Sequence, residues 1–125
     1  MPYSKLAMDH FGNPRNVGEW PDGTPGVATG LAGRARCGDV VKIQLRIEDE
    51  RIAESRCKVY GCAMAVAAAA LAAELAEGKS LEWVRQLNDG SLAERLDAPP
   101  QKRSCAALAV EALHAAAAEW ENRLP

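Results

Sequence analysis

The stretch VVKIQLRIEDERIAESRCKVYGCAMAVAAAALAAELAEG, residues 40–78, decides the fold, because within it the hydrophobic period changes from that of a strand to that of a helix. Val41, Ile43, Leu45 and Ile47 alternate with Val40, Lys42, Gln44 and Arg46, the pattern of a half-buried strand. Asp49 and Glu50 make a short turn. A further strand runs from about Arg51 to Tyr60, with Ala53, Ser55, Cys57 and Val59 on the core face and Glu54, Arg56 and Lys58 on the other. So close a spacing predicts an antiparallel hairpin. From Ala63 alanine dominates, Leu71 and Leu75 fall at i,i+4 spacing, and Gly78 stands as the C-terminal stop of a helix over 63–77.

Upstream, a weaker strand is predicted within 26–35, where glycines interrupt the pattern. The segment NPRNVGEWPDGTPG before it is rich in Pro, Gly, Asn and Asp and reads as irregular surface. Residues 3–10 could form a short helix closed by Gly12 and Pro14. Downstream, Ser80 reads as the N-cap of a helix through about Leu87, and Ser91-Leu-Ala-Glu94 as the capping box of a short third helix. Ala98-Pro99-Pro100 breaks the chain, and a last helix runs from about Ser104, its expected N-cap, to Arg123. Strands first and helices afterwards predict an α+β fold with helices on one sheet face. With no repeat and no long linker, residues 1–125 are expected to form one domain.

Of the 125 residues, 48% are apolar and 26% charged, ordinary for a globular protein. A net charge of −2 gives no general attraction to nucleic acid. Arg34 with Arg36, and Lys102 with Arg103, each lie beside a cysteine, which favours a local electrostatic role over a nucleic-acid face. MPYSKLAMDHF carries charges throughout and does not read as a secretory signal, and the run from Cys62 to Ala73 is too short to span a bilayer. A cytoplasmic location with no membrane contact is expected. There, four cysteines point to metal binding or reactivity rather than disulfides.

Three of the cysteines fall at element ends. Cys37-Gly38-Asp39 lies between two strands, where Gly38 lets the backbone turn and both flanking side chains aim at one centre. Cys62 joins strand to helix, and Cys105 opens the last helix. Helix N-termini favour thiolate, and Lys102 and Arg103 should lower the Cys105 pKa further. Three thiolates and a carboxylate are a plausible shell for Zn²⁺ or a [2Fe–2S] cluster. The spacings match no compact zinc-finger pattern, so placement alone also leaves the cysteines readable as small buried hydrophobes.

The segments DHFGNPRNVG at 9–18, CGDVVKIQL at 37–45, KVYGC at 58–62, GKSLE at 78–82 and PPQKRSC at 99–105 change that balance. In order and spacing the chain resembles the IscU and NifU N-terminal iron–sulfur scaffold family over nearly its whole length. The resemblance implies a three-stranded antiparallel sheet with helices packed on one face. It also implies a binding and transfer protein, not an enzyme, which takes sulfur from a cysteine desulfurase, assembles a transient [2Fe–2S] cluster with iron and passes it to acceptor proteins. By position it makes Cys37, Cys62 and Cys105 the cysteine ligands. Asp39 becomes the carboxylate that keeps the cluster labile, a fitting task for a hard oxygen donor. Cys105 would also be the persulfide acceptor, with Gly38, Lys102 and Ser104 around the ligands.

The chain departs from the family at three places. Ser104 stands where the IscU type has a histidine. Ala98 and Gln101 replace the leucine and valine read by a dedicated Hsp70-type chaperone, so recognition by such a chaperone is doubtful. Ala63-Met64 and Ala67–Ala70 replace small glycines and serines after the middle cysteine. The insertion carried by the zinc-containing SufU relatives is missing. Two alternatives follow: a zinc-binding sulfur acceptor for the desulfurase, and a metal-free regulatory paralogue.

Cys57 is expected in the core, by strand parity. His10, which could stand in for the missing histidine, reads rather as a surface or capping residue. His114 shares a polar helix face with Glu111 and Glu121 and is expected in solvent, and Trp20, Trp83 and Trp120 are expected to anchor packing.

Overall fold

The computed structural model describes residues 16–21, 23–34 and 38–123. The expected helix over 3–10, His10 and Cys37 lie outside the described residues. The strands are β1 (Val27–Arg34), β2 (Asp39–Glu48) and β3 (Arg51–Tyr60), paired antiparallel in the order β1-β2-β3. Four α-helices follow among the described residues: α1 (Ala63–Ala76), α2 (Leu81–Gln86), α3 (Asp89–Leu96) and α4 (Arg103–Arg123). A 3₁₀ turn, Pro100–Lys102, leads directly into α4.

The core lies between one face of the sheet and the two long helices, α1 and α4. Val41, Ile43, Leu45 and Ile47 are all buried on the helix side, as their alternation predicts. The glycines of β1 do not interrupt it. At Gly30 they allow close approach, since a Cβ there would overlap Ala112 O and Ala116 N of α4. Alanines at 112, 116 and 117, at 65 and at 67–70 are buried as well, and their small side chains let helix backbones approach the sheet. α2 and α3 pack against α4.

Four local expectations are corrected. Register shifts between Arg46 and Ile47, so Ile47 pairs with Ile52 while Arg46 pairs with Glu54. Ala53 is the extra residue of this bulge and is exposed, and Ile52 takes the core position. Gln44, expected among the outward residues, is 1% exposed on the outer face, where its amide bridges Trp20 and Thr29. α3 begins at Asp89, capped by the Asn88 side chain, which accepts from Ser91 N at 2.8 Å; Ser91 donates here and does not cap. Ser104 is an exposed residue in the first turn of α4, because the 3₁₀ turn already supplies the entry.

Ser80 does cap α2, accepting from Trp83 N at 3.1 Å. Gly78, at φ 81°, follows α1 as predicted. Beyond it, Ile52 N donates to Lys79 O and Gly78 N to Ile52 O, extending β3 at its outer edge. Residues 16–18 occupy the same edge farther along: Cys57 N donates to Asn16 O, and Gly18 N to Cys57 O. Asn16 Nδ2 also donates to Ser55 O. The Ser55 hydroxyl donates to Ala73 O of α1, and Ser55 N to a Glu77 carboxylate. On the opposite edge, Thr29 N of β1 donates to Glu119 of α4 at 2.7 Å.

The outer face is part covered by this N-terminal strap. Glu19 bridges Lys42 and Lys58 at 2.9 Å each, and the Arg56 guanidinium lies 4.1 Å over the Trp20 ring. Trp83 and Trp120 pack against the core, as expected of anchors. His114 is half-buried, its Nε2 3.0 Å from Leu87 O, because α4 packs on the α2–α3 junction; the expectation of a solvent position is corrected. Among the described residues, no helix is long and apolar enough to cross a membrane.

Candidate metal centre

One end of the sheet gathers the chemistry-bearing side chains. β2 starts at Asp39, whose alternation with Val41 turns its carboxylate toward the helix side. β3 ends at Tyr60, and Gly61 leads into Cys62, the N-cap residue of α1. α4 enters from the 3₁₀ turn with Cys105 in its first turn, facing inward. Gly38, at φ +71° and with nothing within 4 Å of a would-be Cβ, makes the turn into β2.

The thiolate and carboxylate donor atoms of Asp39, Cys62 and Cys105 all lie within 4.8 Å of one another. The two sulfurs are 3.6 Å apart, and the Cys62 thiol is 3.9 Å from Asp39 Oδ2. Two thiolates bound to one tetrahedral zinc at the usual Zn–S distance would stand about 3.8 Å apart. The observed separation therefore fits two donors to a single metal. Asp39 is only 8% exposed, and its Oδ1 accepts from Cys62 N at 3.1 Å. That bond gives the first turn of α1 an acceptor which the Cys62 side chain does not supply.

The expected lowering of the Cys105 pKa is not what the site produces. Burial, the neighbouring Cys62 thiol and the Asp39 charge together push the Cys105 thiol from 9.0 up to about 12. Lys102 acts in the opposite direction and is outweighed. The surroundings therefore favour the thiol over the thiolate at Cys105.

Cys57 is buried in the core opposite Ile43, its thiol raised to about 11 by burial alone, and it takes no part in the donor group. Among the described residues the group contains no histidine. Ser104 is exposed and Lys102 half-buried beside it. Sequence reasoning overlooked Gly61, where a Cβ would overlap the Asp39 carboxylate. The only signal was its place before Cys62 in KVYGC. Val40 and Tyr60 leave the outer face at this end of the sheet apolar and exposed.

Comparison with known proteins identifies the family. The iron–sulfur cluster assembly scaffold protein IscU of Escherichia coli is 40% identical over 124 residues, covering 98% of this chain and 97% of that protein. The scaffold protein of the same name from Rickettsia prowazekii is also 40% identical, over 98% of this chain and 95% of its own. Among solved structures, the N-terminal part of a NifU-like protein from Brucella abortus superposes with a TM-score of 0.76 at 18% identity, covering 97% of this chain and 95% of that one. A candidate SUF-system scaffold from Fervidobacterium islandicum gives 0.72 at 20%, covering 94% and 97%; at such identities these two structures establish the fold alone. The profile of the NifU-like N terminal domain matches residues 2–124, and with relatives 40% identical from end to end, the chain belongs to that family.

Proposed function

We propose that the chain, acting as one domain over residues 1–125, assembles a transient [2Fe–2S] cluster from iron and desulfurase-derived sulfur and transfers it to acceptor proteins. Cys37, Asp39, Cys62 and Cys105 are its ligands in this reading, and its place is the cytoplasm. The observation that carries it is the convergence of Asp39, Cys62 and Cys105 donor atoms within 4.8 Å. The names of the 40%-identical relatives support it. A carboxylate among sulfur donors suits temporary custody, since hard oxygen holds soft or intermediate iron less firmly than thiolate does.

Sulfur arrives by thiol–persulfide exchange. The Cys105 sulfur attacks the outer sulfur of the desulfurase persulfide, a new S–S bond forms on Cys105, and the desulfurase cysteine leaves as thiolate. Cys105 is 3% exposed, so this step requires its surroundings to open when the desulfurase docks. Two molecules of free cysteine then reduce the persulfide, giving cystine, sulfide and the Cys105 thiol, and iron replaces the thiol protons. The protein contributes binding and transfer, with no turnover of its own.

The test is anaerobic incubation with iron, cysteine and a cysteine desulfurase, followed by desalting and a visible spectrum. Sulfide-to-iron charge-transfer bands that vanish in Cys37→Ala are expected. A second reading, a zinc-binding sulfur acceptor, is favoured by the 3.6 Å sulfur separation, which fits the edge of one zinc tetrahedron. A colourless protein that retains zinc and stimulates the desulfurase would establish it over cluster assembly. A colourless, metal-free one would leave a regulatory paralogue.

A further inference from the structure

Glycines are retained for different reasons at different places, and Gly61 has an unusual one. Its backbone does not lie in the left-handed region, so the conformation itself is open to any residue. What fills the space is the Asp39 side chain: a Cβ on residue 61 would lie 2.9 Å from Asp39 Cγ and closer still to its Oδ1. At Gly30 the obstacle is the backbone of α4, which cannot yield without moving the helix. At Gly61 the three nearest atoms all belong to one carboxylate side chain, which can rotate away.

We propose that Gly61 is a positioning residue for Asp39, its missing side chain allowing the carboxylate to lie against the Gly61–Cys62 peptide. In that seat Oδ1 accepts from Cys62 N at 3.1 Å, and Oδ2 stands on the sulfur side, 3.9 Å from Cys62 Sγ. A methyl group at 61 leaves the fold intact and evicts the carboxylate, so one oxygen no longer holds the amide and the other no longer faces the sulfurs. The consequence for metal rests on the reading of Asp39 as a ligand. The seat itself does not.

The experiment compares the full chain with Gly61→Ala, Asp39→Ala and the double variant, each checked for unchanged helix content by circular dichroism. In the metal-free proteins, the Cys62 amide proton is followed by NMR. It is expected to move upfield in Gly61→Ala as in Asp39→Ala, as a bond to a carboxylate is lost, and to move no further in the double variant. Zn²⁺ affinity, measured against a chromophoric chelator, is expected to fall about 10-fold in Gly61→Ala, the usual scale for disturbing a ligand's support. In the Asp39→Ala background the same change should have an effect within about twofold, because its target is gone. An unmoved Cys62 amide in Gly61→Ala, or an equal loss of affinity in both backgrounds, would overturn the proposal. An amide that moves as expected while Zn²⁺ affinity ignores both substitutions would uphold the seat and remove Asp39 from the ligand set.

Discussion

The two ends of the sheet are built on opposite plans. At the hairpin end, Asp49 and Glu50 turn the chain, and Ile52, Gly78 and Lys79 close the backbone with bonds of 2.8–2.9 Å. Ser80 then caps the next helix. At the other end, the first turn of α1 depends on a borrowed carboxylate, and two buried or half-buried thiols lie beside each other and that carboxylate. One end satisfies its polar groups with its own backbone. The other gathers two thiols and a carboxylate at one point, the kind of cluster in which a binding site is sought.

Substitutions should separate the two ends cleanly. Cys62→Ala is expected to abolish cluster loading altogether, read from the charge-transfer absorption, while the urea midpoint of the metal-free protein stays nearly where it was. If loading survived, the site end would be structural after all. Ser80→Ala should do the reverse, lowering stability by about 1 kcal/mol through the lost cap and leaving loading unaltered. A loading defect there would mean that the two ends are coupled through α1 and β3. The smallest effect is expected at the turn. Glu50 sits at φ 64°, a conformation that favours glycine, so Glu50→Gly should raise the unfolding free energy measured in urea by about 0.5 kcal/mol once the extra chain entropy is offset. A loss instead would show that the Glu50 side chain contributes more than its backbone strain costs.

The hairpin was legible because period two and period 3.6 meet within one stretch, and the family resemblance brought Cys62, Cys105 and Asp39 together before any coordinates did. What escaped had physical causes. Alternation carried past Ile52 puts Ala53 inside; a bulge is invisible to a periodicity that assumes none. Asn88 outcompeted Ser91 as a cap because either residue type can serve, and the helix could begin three residues earlier. Gln44 is a polar residue on an outer strand face, and only the arrival of Trp20 over it makes it buried. The charges at Lys102 and Arg103 suggested an acidic thiol at Cys105, but desolvation and a second thiol at 3.6 Å outweigh them, and neither quantity is written in sequence order.

The hydrogen bonds along the two sheet margins have a consequence for how copies of this protein meet. A free strand margin is a template on which another chain can continue the sheet. Here the outward backbone groups of β3 at Ile52, Ser55 and Cys57 are engaged by residues 78–79, Glu77 and the 16–18 strap. On β1, Thr29 is engaged by Glu119. At these positions neither margin offers a backbone partner to a neighbour, so strand-by-strand growth into fibrils is discouraged there while the molecule stays folded. Two copies that meet along these positions must then do so through side chains, without continuing the sheet.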